Sequence, residues 1–404
     1  MQFCMISAFY PPESFGGDAV FLEQLSCELT RRSHSVDVIH CADSYKALGG
    51  KAARPMQPLD GLTVHRLQSS FGTLAPLAAH QTGRPLLYNR AVRRILQSKS
   101  FDVVHFHNIS VFGPGVLTIP GPPGSLKLYT AHEHWLVCPL SVLWKNNAEL
   151  CRQPSCTGCT LRARRPPQLW RHTTLLQRCA QSIDAFFALS AASANAHQER
   201  GFTSPMRLLP NFVPAPEGPA PHAPHPRPYF LSVGRLEKYK GLQDVIPLFS
   251  GNGNYDLVIL GQGGYAQELR RLARDSPRVH FAGWISADRL GAYYQHARAL
   301  VAASLTYETF GMVVVEAMAR GTPVIARELG AYPELIAASG GGLLFRDAQG
   351  LAECIRRIGD DDLLRARLSE SARAAYAKHW TPEIHVDRYI QTIDEIRESK
   401  SSLA

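Results

Sequence analysis

Two glutamates eight positions apart, around a glycine turn, form the part of this sequence best suited to chemistry. Residues 307–326 read YETFGMVVVEAMARGTPVIA, with Glu308 just before a predicted helix over 312–320 and Glu316 inside it. Free backbone N–H groups at a helix start attract anions. An acid inside an apolar helix needs hydrogen-bond donors, and the paired hydroxyls of a ribose would supply them. An arginine or solvent would also satisfy Glu316.

The chain around this segment alternates between short apolar runs and helical stretches. Alternation of this kind predicts buried parallel strands in doubly wound α/β sheets. The predicted strands lie at 3–9, 36–39, 101–107 and 126–130 in the first half, and at 229–233, 257–260, 279–281, 299–302 and 323–326 in the second.

A proline-rich stretch divides the chain into two parts. Seven of the sixteen residues 213–228 are proline, a composition that excludes a helix or a central strand and is typical of a linker. The length of 404 residues also favours two domains over one. We predict an N-terminal domain over 1–212, a C-terminal domain over 229–380, and a C-terminal helix over 381–404 that crosses back to the N-terminal domain.

Several motifs of the second half resemble the donor site of retaining glycosyltransferases of family 4. The spacing of the two glutamates matches the E-x7-E signature of that family. Further matches occur in family order, namely VGRLEKYKG at 233–241, LGQG at 260–263, VHFAG at 279–283 and GAYPELI at 330–336. The resemblance implies the GT-B fold, an α/β architecture in which two Rossmann-like doubly wound domains face each other across a cleft.

The resemblance also implies roles for individual residues in binding a nucleotide diphosphate sugar. Arg235 and Lys240 would hold the diphosphate, whose negative charge grows as it leaves, so that fixed cations would stabilise the transition state. Glu316 would bind the ribose hydroxyls. The other donor contacts would come from Glu308, from the amides of Phe310, Gly311 and Met312, and from the turn at Gly261.

The first half matches the same family less densely. Gly16 and Gly17 resemble its glycine loop, where a backbone approaches the diphosphate or the acceptor at a helix start; a plain turn is the alternative. His132, in the sequence YTAHEHW, resembles the histidine that contacts the donor sugar near the reacting carbon. His105 and His107 end an apolar run, and we interpret both as structural histidines.

Four cysteines fall within 22 residues, in a predicted loop over 138–165. Cys156 and Cys159 have the C-x2-C spacing that lets two thiolates reach one zinc ion, and Cys138 and Cys151 would complete four ligands. A regular zinc ribbon has two such pairs rather than one, so free thiols are the alternative. A subset of family 4 enzymes has a similar arrangement, which would place the loop beside the acceptor region.

The formal net charge of +9 lies wholly in the first half of the chain. Residues 1–212 hold 21 Lys and Arg against 12 Asp and Glu, whereas residues 213–404 hold 22 of each. Five arginines lie within 162–178, next to Leu169 and Trp170, a pattern that favours an anionic acceptor or an anionic membrane surface. Docking on the domain's own core is the alternative. A nucleic-acid-binding protein is a further alternative, but it leaves the two glutamates unexplained.

Together these features predict a glycosyltransferase that moves a sugar from a nucleotide diphosphate sugar to a hydroxyl acceptor with retention of configuration. The setting would be polysaccharide, glycolipid or other glycoconjugate biosynthesis, and the catalytic residues would be His132, Arg235, Lys240 and Glu308. The resemblance implies that no cofactor is required for the chemistry. A nucleotide-sugar epimerase or a glycan phosphorylase of the same fold is the alternative.

Composition and hydropathy limit the class of protein and its expected location. A chain with 45% hydrophobic and 19% charged residues is neither disordered nor fibrous. It has no apolar run of the roughly 18 to 20 residues that span a bilayer, and its first residues lack the features of a signal peptide. We expect a cytoplasmic protein without a nucleic-acid partner. Its acceptor would be anionic or lipid-linked, and its basic domain would contact the inner membrane face peripherally. The sugar, the nucleotide base and the acceptor stay open.

Overall fold

The computed structural model describes residues 1–50, 59–216, 218 and 222–402. The chain divides into two compact units. Unit 1 comprises Met1–Ser141, Ser155–Pro210 and the stretch from His385, whereas unit 2 comprises Val142–Pro154 and Asn211–Ile384. Within the predicted linker 213–228, residues 217 and 219–221 lie outside the described residues, and the described ones form no helix or strand.

The strands occur throughout the chain. In chain order they are β1 (Gln2–Ile6), β2 (Ser35–Cys41), β3 (Leu62–Leu67), β4 (Val103–Phe106), β5 (Leu126–Ala131), β6 (Trp144–Lys145), β7 (Glu149–Leu150), β8 (Ala185–Ala188), β9 (Met206–Leu208), β10 (Tyr229–Val233), β11 (Asp256–Leu260), β12 (Val279–Gly283), β13 (Leu300–Ala302), β14 (Val324–Arg327) and β15 (Gly342–Phe345).

The α-helices follow or connect these strands. In chain order they are α1 (Gly17–Arg31), α2 (Ala42–Ala47), α3 (Leu74–Thr82), α4 (Asn89–Leu96), α5 (Cys156–Arg162), α6 (Leu175–Ala180), α7 (Ala191–Gln198), α8 (Leu242–Val245), α9 (Ala266–Leu272), α10 (Ala287–His296), α11 (Met312–Ala319), α12 (Tyr332–Ser339), α13 (Ala348–Asp360), α14 (Asp362–His379) and α15 (Pro382–Ser401).

Unit 1 is built on a seven-stranded sheet in the order β3-β2-β1-β4-β5-β8-β9, with every pairing parallel. Its β1 strand is buried along nearly its whole length because both faces of the sheet are covered. Helix α1 packs through Phe21, Leu22, Leu25 and Leu29, a spacing that keeps these side chains on one helical face.

Unit 2 repeats this plan in a six-stranded sheet of order β12-β11-β10-β13-β14-β15, again with parallel pairings. In both sheets the strand order reverses beside the first strand of the unit, between β1 and β4 and between β10 and β13. Ligands of doubly wound sheets bind outside the carboxyl ends of the strands at such a reversal. The prediction of two Rossmann-like parallel α/β domains is confirmed.

None of the helices within the described residues is both long enough and apolar enough to span a bilayer.

Candidate active site

A half-buried ion pair lies at the carboxyl edge of the unit 2 sheet, beside the reversal of strand order. Lys240 ends a short 3-10 turn after β10, and Glu308 follows β13. The Lys240 Nζ atom donates to Glu308 Oε1 at 2.6 Å, and the Ser304 hydroxyl donates to the same oxygen at 2.5 Å. The carboxylate is therefore held from two sides.

The electrostatics of Glu308 favour its ionised form. Burial alone would raise the pKa of this carboxyl, but the charge and hydrogen bond of Lys240 outweigh it. Ser304 and the charge of Arg235 act in the same direction, so the pKa of Glu308 lies below its usual value. The site thus holds a fixed carboxylate–ammonium pair at neutral pH.

Helix α11 begins directly after this pair and confirms the sequence-predicted helix and its glycine turn. Gly311 precedes the helix at a φ of +104°, a left-handed conformation that favours glycine. A Cβ atom here would lie only 2.8 Å from Cε1 of Tyr332. The first backbone bond within the helix runs from the Val314 N–H to the Gly311 carbonyl at 2.9 Å. The N–H groups before it, including that of Met312, have no acceptor within the helix, and such groups attract anions.

Glu316 lies one turn further along α11 and is bonded by Tyr294 of α10. The Tyr294 hydroxyl donates to Glu316 Oε2 at 2.6 Å. Burial raises the pKa of this carboxyl, and the bond from Tyr294 lowers it in part. Since Tyr294 engages only Oε2, the second oxygen remains available to further hydroxyl donors.

Arg235 and Gly261 occupy neighbouring turns at the same sheet edge, after β10 and β11. The Arg235 side chain is exposed and makes no hydrogen bond or ion pair with any of the described residues. Gly261 has a φ of +128°, and a Cβ atom here would overlap the Gly234 carbonyl oxygen. The two turns therefore contact each other through backbone atoms of Gly234 and Gly261, and the guanidinium of Arg235 remains exposed.

In unit 1 the carboxyl edge of the sheet carries histidines instead. His132 follows β5, and its Nε2 atom lies 2.9 Å from Nδ1 of His107, which follows β4. Burial lowers the pKa of His132 to about 4, although the charge of Asp18 opposes this. Burial also holds the pKa of His107 well below its ordinary value. Both rings are therefore neutral at physiological pH.

His105 lies deeper, as the structural interpretation expects. Its Nδ1 atom lies 2.7 Å from the hydroxyl of Tyr389 in α15, and its Nε2 atom lies 2.8 Å from that of Thr130. Both ring nitrogens are thus engaged, so His105 fixes the strand ends that carry the outer histidine pair. His107 differs, because its Nε2 atom is buried without a hydrogen-bond partner among the described residues.

The glycine loop begins helix α1 of unit 1. Gly16 is the residue before the helix, at a φ of −144° and a ψ of 169°, an extended conformation that any residue adopts. A Cβ atom at this position would nevertheless lie 2.5 Å from Oδ1 of Asp18. Gly17 is exposed as the first residue of the helix. A small residue at Gly16 therefore leaves room for the acid of the first turn.

The structure does not support the zinc site suggested by the cysteine spacing. Cys138, Cys156 and Cys159 belong to unit 1, whereas Cys151 belongs to unit 2. Within the described residues, no three of these cysteines bring their sulfur atoms within 4.8 Å of one another. Burial raises the pKa of the Cys156 thiol, and Cys138 raises it further, which disfavours the thiolate that a metal needs. The spacing was misleading because the C-x2-C pair lies on the short helix α5 rather than in a knuckle.

Arg171 and Trp170, sequence candidates for an anionic contact, are part of the packing of unit 1. The Arg171 guanidinium donates to the Trp135 carbonyl at 2.7 Å and lies 4.8 Å and 4.7 Å from the ring centroids of Trp135 and Trp170. Burial lowers the pKa of this guanidinium to about 10. Trp170 itself is buried and donates to the His80 carbonyl at 2.9 Å. Leu169, by contrast, is 64% exposed.

Several partners of the site residues were missed by sequence reasoning. Ser304, Tyr294 and Tyr332 contact Glu308, Glu316 and the Gly311 turn, respectively. Tyrosine and serine are common, and their sequence positions carry no spacing signal. Ser304 lies two residues after β13, beside the strand-order reversal, and this position was the one available clue to it.

Comparisons with known proteins agree with this geometry. Residues 15–217 match the family model described as Glycosyltransferase Family 4, and residues 218–375 match that of Glycosyl transferases group 1. The lipopolysaccharide core biosynthesis glycosyltransferase LpsE of Rhizobium meliloti is 27% identical over 53% of this chain and 65% of that protein. The O-antigen chain mannosyltransferase C of Escherichia coli is 28% identical over 43% of this chain and 48% of that protein. The matches thus span about half to two thirds of the length of these relatives.

Solved structures share the whole fold at low sequence identity. Sucrose-phosphate synthase from Thermosynechococcus elongatus superposes with a TM-score of 0.78 at 20% identity, covering 98% of this chain and 99% of that one. Anabaena HepE in complex with UDP gives a TM-score of 0.66 at 19% identity, covering 98% and 100%.

Proposed function

Because the chain belongs to glycosyltransferase family 4, we propose that it transfers a sugar from a nucleotide diphosphate sugar to a hydroxyl acceptor, with retention of configuration. The observation that carries this proposal is the Lys240–Glu308 pair beside the start of α11, with the exposed cation of Arg235 in the neighbouring turn. A diphosphate leaving group is stabilised by cations and N–H groups that are already oriented, and this edge of unit 2 offers both.

The diphosphate would bind through Arg235, Lys240 and the amides at the start of α11. As the bond to the sugar breaks, negative charge accumulates on the leaving diphosphate. Groups that are already oriented then stabilise the transition state more than the ground state. Glu308 holds Lys240 through a 2.6 Å bond, so we assign to the carboxylate both the positioning of that cation and contact with the donor sugar.

The nucleoside would be held by Glu316. Its Oε2 atom already accepts from Tyr294, and its other oxygen would accept from a ribose hydroxyl. Unit 1 would contribute His132, which the family resemblance assigns to the donor sugar. A neutral imidazole is suited to that role because it accepts or donates a hydrogen bond without adding charge.

The acceptor would be anionic or carried on a lipid, and the surface of unit 1 supports this part of the proposal. The lipopolysaccharide and O-antigen relatives act in glycoconjugate assembly by name. Large apolar side chains stand exposed on unit 1 at Phe71, Leu74, Leu77, Leu86, Leu87, Leu161 and Leu169. Exposed arginines accompany them at positions 84, 90, 94, 162, 164 and 165. Apolar side chains among cations are typical of a face that rests on an anionic membrane.

A donor screen followed by a turnover assay tests the proposal. We expect one or a few nucleotide sugars to raise the Tm of the full chain, because a ligand that binds only the folded state stabilises it. With such a donor, free nucleoside diphosphate should appear only when a hydroxyl acceptor is present. Conversion of the donor into an epimeric nucleotide sugar, without net release of nucleoside diphosphate, would favour the epimerase. Cleavage of a glycan that requires inorganic phosphate and no nucleotide sugar would favour the phosphorylase.

A further inference from the structure

Two histidines and an aspartate meet at the amino edge of the unit 2 sheet. Asp256 is the first residue of β11, His280 is the second residue of β12, and His225 lies just before β10. Their ligand atoms all lie within 4.8 Å of one another. In the described part of the chain, no other trio of histidine, cysteine or acidic side chains meets this limit.

The spacing of the three ligand atoms is close to that of a metal site. The Nε2 atoms of His225 and His280 lie 2.7 Å and 3.0 Å from the same oxygen, Oδ2 of Asp256. Metal bonds of about 2.0–2.1 Å in a tetrahedron place ligand atoms about 3.3 Å apart. Each imidazole nitrogen therefore needs to move away from this oxygen by only about 0.3 to 0.6 Å to admit an ion.

The charge and exposure of the trio also suit a cation. Asp256 is 2% exposed, and a buried carboxylate requires a compensating partner. Its second oxygen, Oδ1, accepts no hydrogen bond from the residues that the structure describes and has an ion contact of 3.5 Å with Arg227. The side chain of His280 is 41% exposed, which gives an ion and its remaining water ligands access from solvent.

We propose that His225, Asp256 and His280 bind a divalent transition-metal ion. Two imidazole nitrogens and one carboxylate oxygen, with a fourth position left for water, suit Zn²⁺ best among common ions. The Lys240–Glu308 pair lies at the other edge of the same sheet, about 16 Å away along five-residue strands. The ion therefore takes no part in sugar transfer; it joins the segment before β10 to the first residues of β11 and β12.

A second buried aspartate in the chain provides a matched control. Asp37 of unit 1 is likewise 2% exposed, and its carboxylate contacts His65 at 2.6 Å and Lys99 at 2.6 Å. An ammonium group stands where the unit 2 trio has its second imidazole, and an ammonium cannot ligate a metal. Loss of His65 should therefore leave metal binding unchanged.

Titration with Co²⁺, followed by visible absorption and by calorimetry, tests this site. The full chain would carry Cys156→Ser and Cys159→Ser, so that the C-x2-C pair contributes no thiolate ligand. We expect one equivalent to bind with the spectrum of a nitrogen–oxygen tetrahedral site, and Zn²⁺ to displace it. His225→Ala and His280→Ala should each weaken binding at least 100-fold, because even supporting partners of ligands cost about 10–100-fold. His65→Ala should bind as the parent does.

Arg227 supplies a prediction of opposite sign. Arg227→Gln removes a cation beside Asp256 but keeps a donor for the Gly253 carbonyl, which the arginine contacts at 2.6 Å. We expect this variant to bind Co²⁺ several-fold more tightly. The proposal would be overturned if the parent showed no saturable Co²⁺ binding, or if His280→Ala bound Co²⁺ as tightly as the parent does. If circular dichroism shows that His225→Ala does not fold, Co²⁺ binding is measured in His280→Gln, whose substituted side chain is partly exposed, and lost binding there supports the site.

Discussion

The two sheets have the same strand topology, but the side chains at their carboxyl edges differ in charge: those of unit 1 are neutral histidines, and those of unit 2 are ionised. In unit 1, His107 follows β4 and His132 follows β5, and burial keeps both histidines neutral. In unit 2, β10 and β13 lead to a fixed ion pair, Lys240–Glu308, and β10 also leads to the exposed cation of Arg235. The doubly wound fold thus determines where a ligand binds, whereas a few side chains after each strand determine which charge it meets.

This contrast has a physical reason in how each group is compensated. A neutral imidazole pair carries no net charge and is therefore cheaper to bury than an ionised group. A buried carboxylate must be paired, and Glu308 has Lys240 and Ser304 for that purpose. Unit 2 therefore maintains charge where a diphosphate would need it, while unit 1 offers a site that adds none.

Removal of Lys240 should have the largest effect. Lys240→Ala deprives the leaving diphosphate of a fixed cation and leaves Glu308 buried without its partner. We expect kcat to fall by about 10²–10³-fold, as for other removed transition-state donors. Lys238→Ala, in the same 3-10 turn, is the matched control and should retain activity. A near-normal kcat in Lys240→Ala would contradict the claim that unit 2 supplies a fixed cation to the leaving diphosphate.

Acid should destabilise unit 1 ahead of unit 2. Burial lowers the pKa of His40, His132 and His385 to about 4, against about 6.5 in an unfolded chain. Between these values the unfolded state binds more protons, so stability is complete above pH 6.5 and falls as pH drops towards 4. Hydrogen exchange, corrected for intrinsic rates, should show unit 1 peptides losing protection at the higher pH. Simultaneous loss in both units would contradict the expectation.

Changes at Glu316 should produce a smaller, binding-specific effect. Glu316→Gln weakens the acceptor for a ribose hydroxyl and should raise the Kd of the donor about tenfold, the cost of a hydrogen bond to a charged group. Tyr294→Phe keeps the carboxylate and should cost less. Calorimetry with the donor found by thermal shift measures both. An unchanged Kd in Glu316→Gln would exclude its contact with the nucleoside.

The smallest effect is expected at the exposed arginines of unit 1. Arg165→Gln should weaken binding to phosphatidylglycerol vesicles up to about fivefold, since one cation near such a surface contributes about 1 kcal/mol. Arg346→Gln, an exposed arginine of unit 2 paired with Glu328, should bind as the parent does. Co-sedimentation measures both. Equal binding to uncharged vesicles would argue against an anionic surface.

Local patterns made much of unit 2 predictable. The helix α11, its glycine turn and the apolar strands all follow from residues that are close in sequence, and each was confirmed. Strands β3, β6, β7, β8, β9 and β15 were not predicted. Strand β3 mixes polar with apolar residues and is only partly buried. Strands β8 and β15 are apolar runs of only four residues, which periodicity alone does not distinguish from a buried helix.

The parts that resisted prediction depend on contacts between distant residues. The side chain of Arg171 is buried between two tryptophans, and sequence alone presents it as one more surface cation. The His107–His132 and Tyr294–Glu316 contacts likewise join separate elements. Charge composition placed the excess of cations in the first half of the chain but did not show which arginines remain in solvent.

Helix α15 is made at the end of synthesis, yet it contacts a residue of unit 1 that is made much earlier. His105 of unit 1 is bonded to Tyr389, which follows it by 284 residues. At about 5–20 residues per second, a ribosome needs about 15–60 s to add that tyrosine. Unit 1 therefore emerges from the ribosome before Tyr389 can contact His105, and this contact forms only after residues 211–384 of unit 2 have been made. A fragment that stops at the proline-rich segment would lack the contact, whereas a circular permutant beginning at α15 would supply it first.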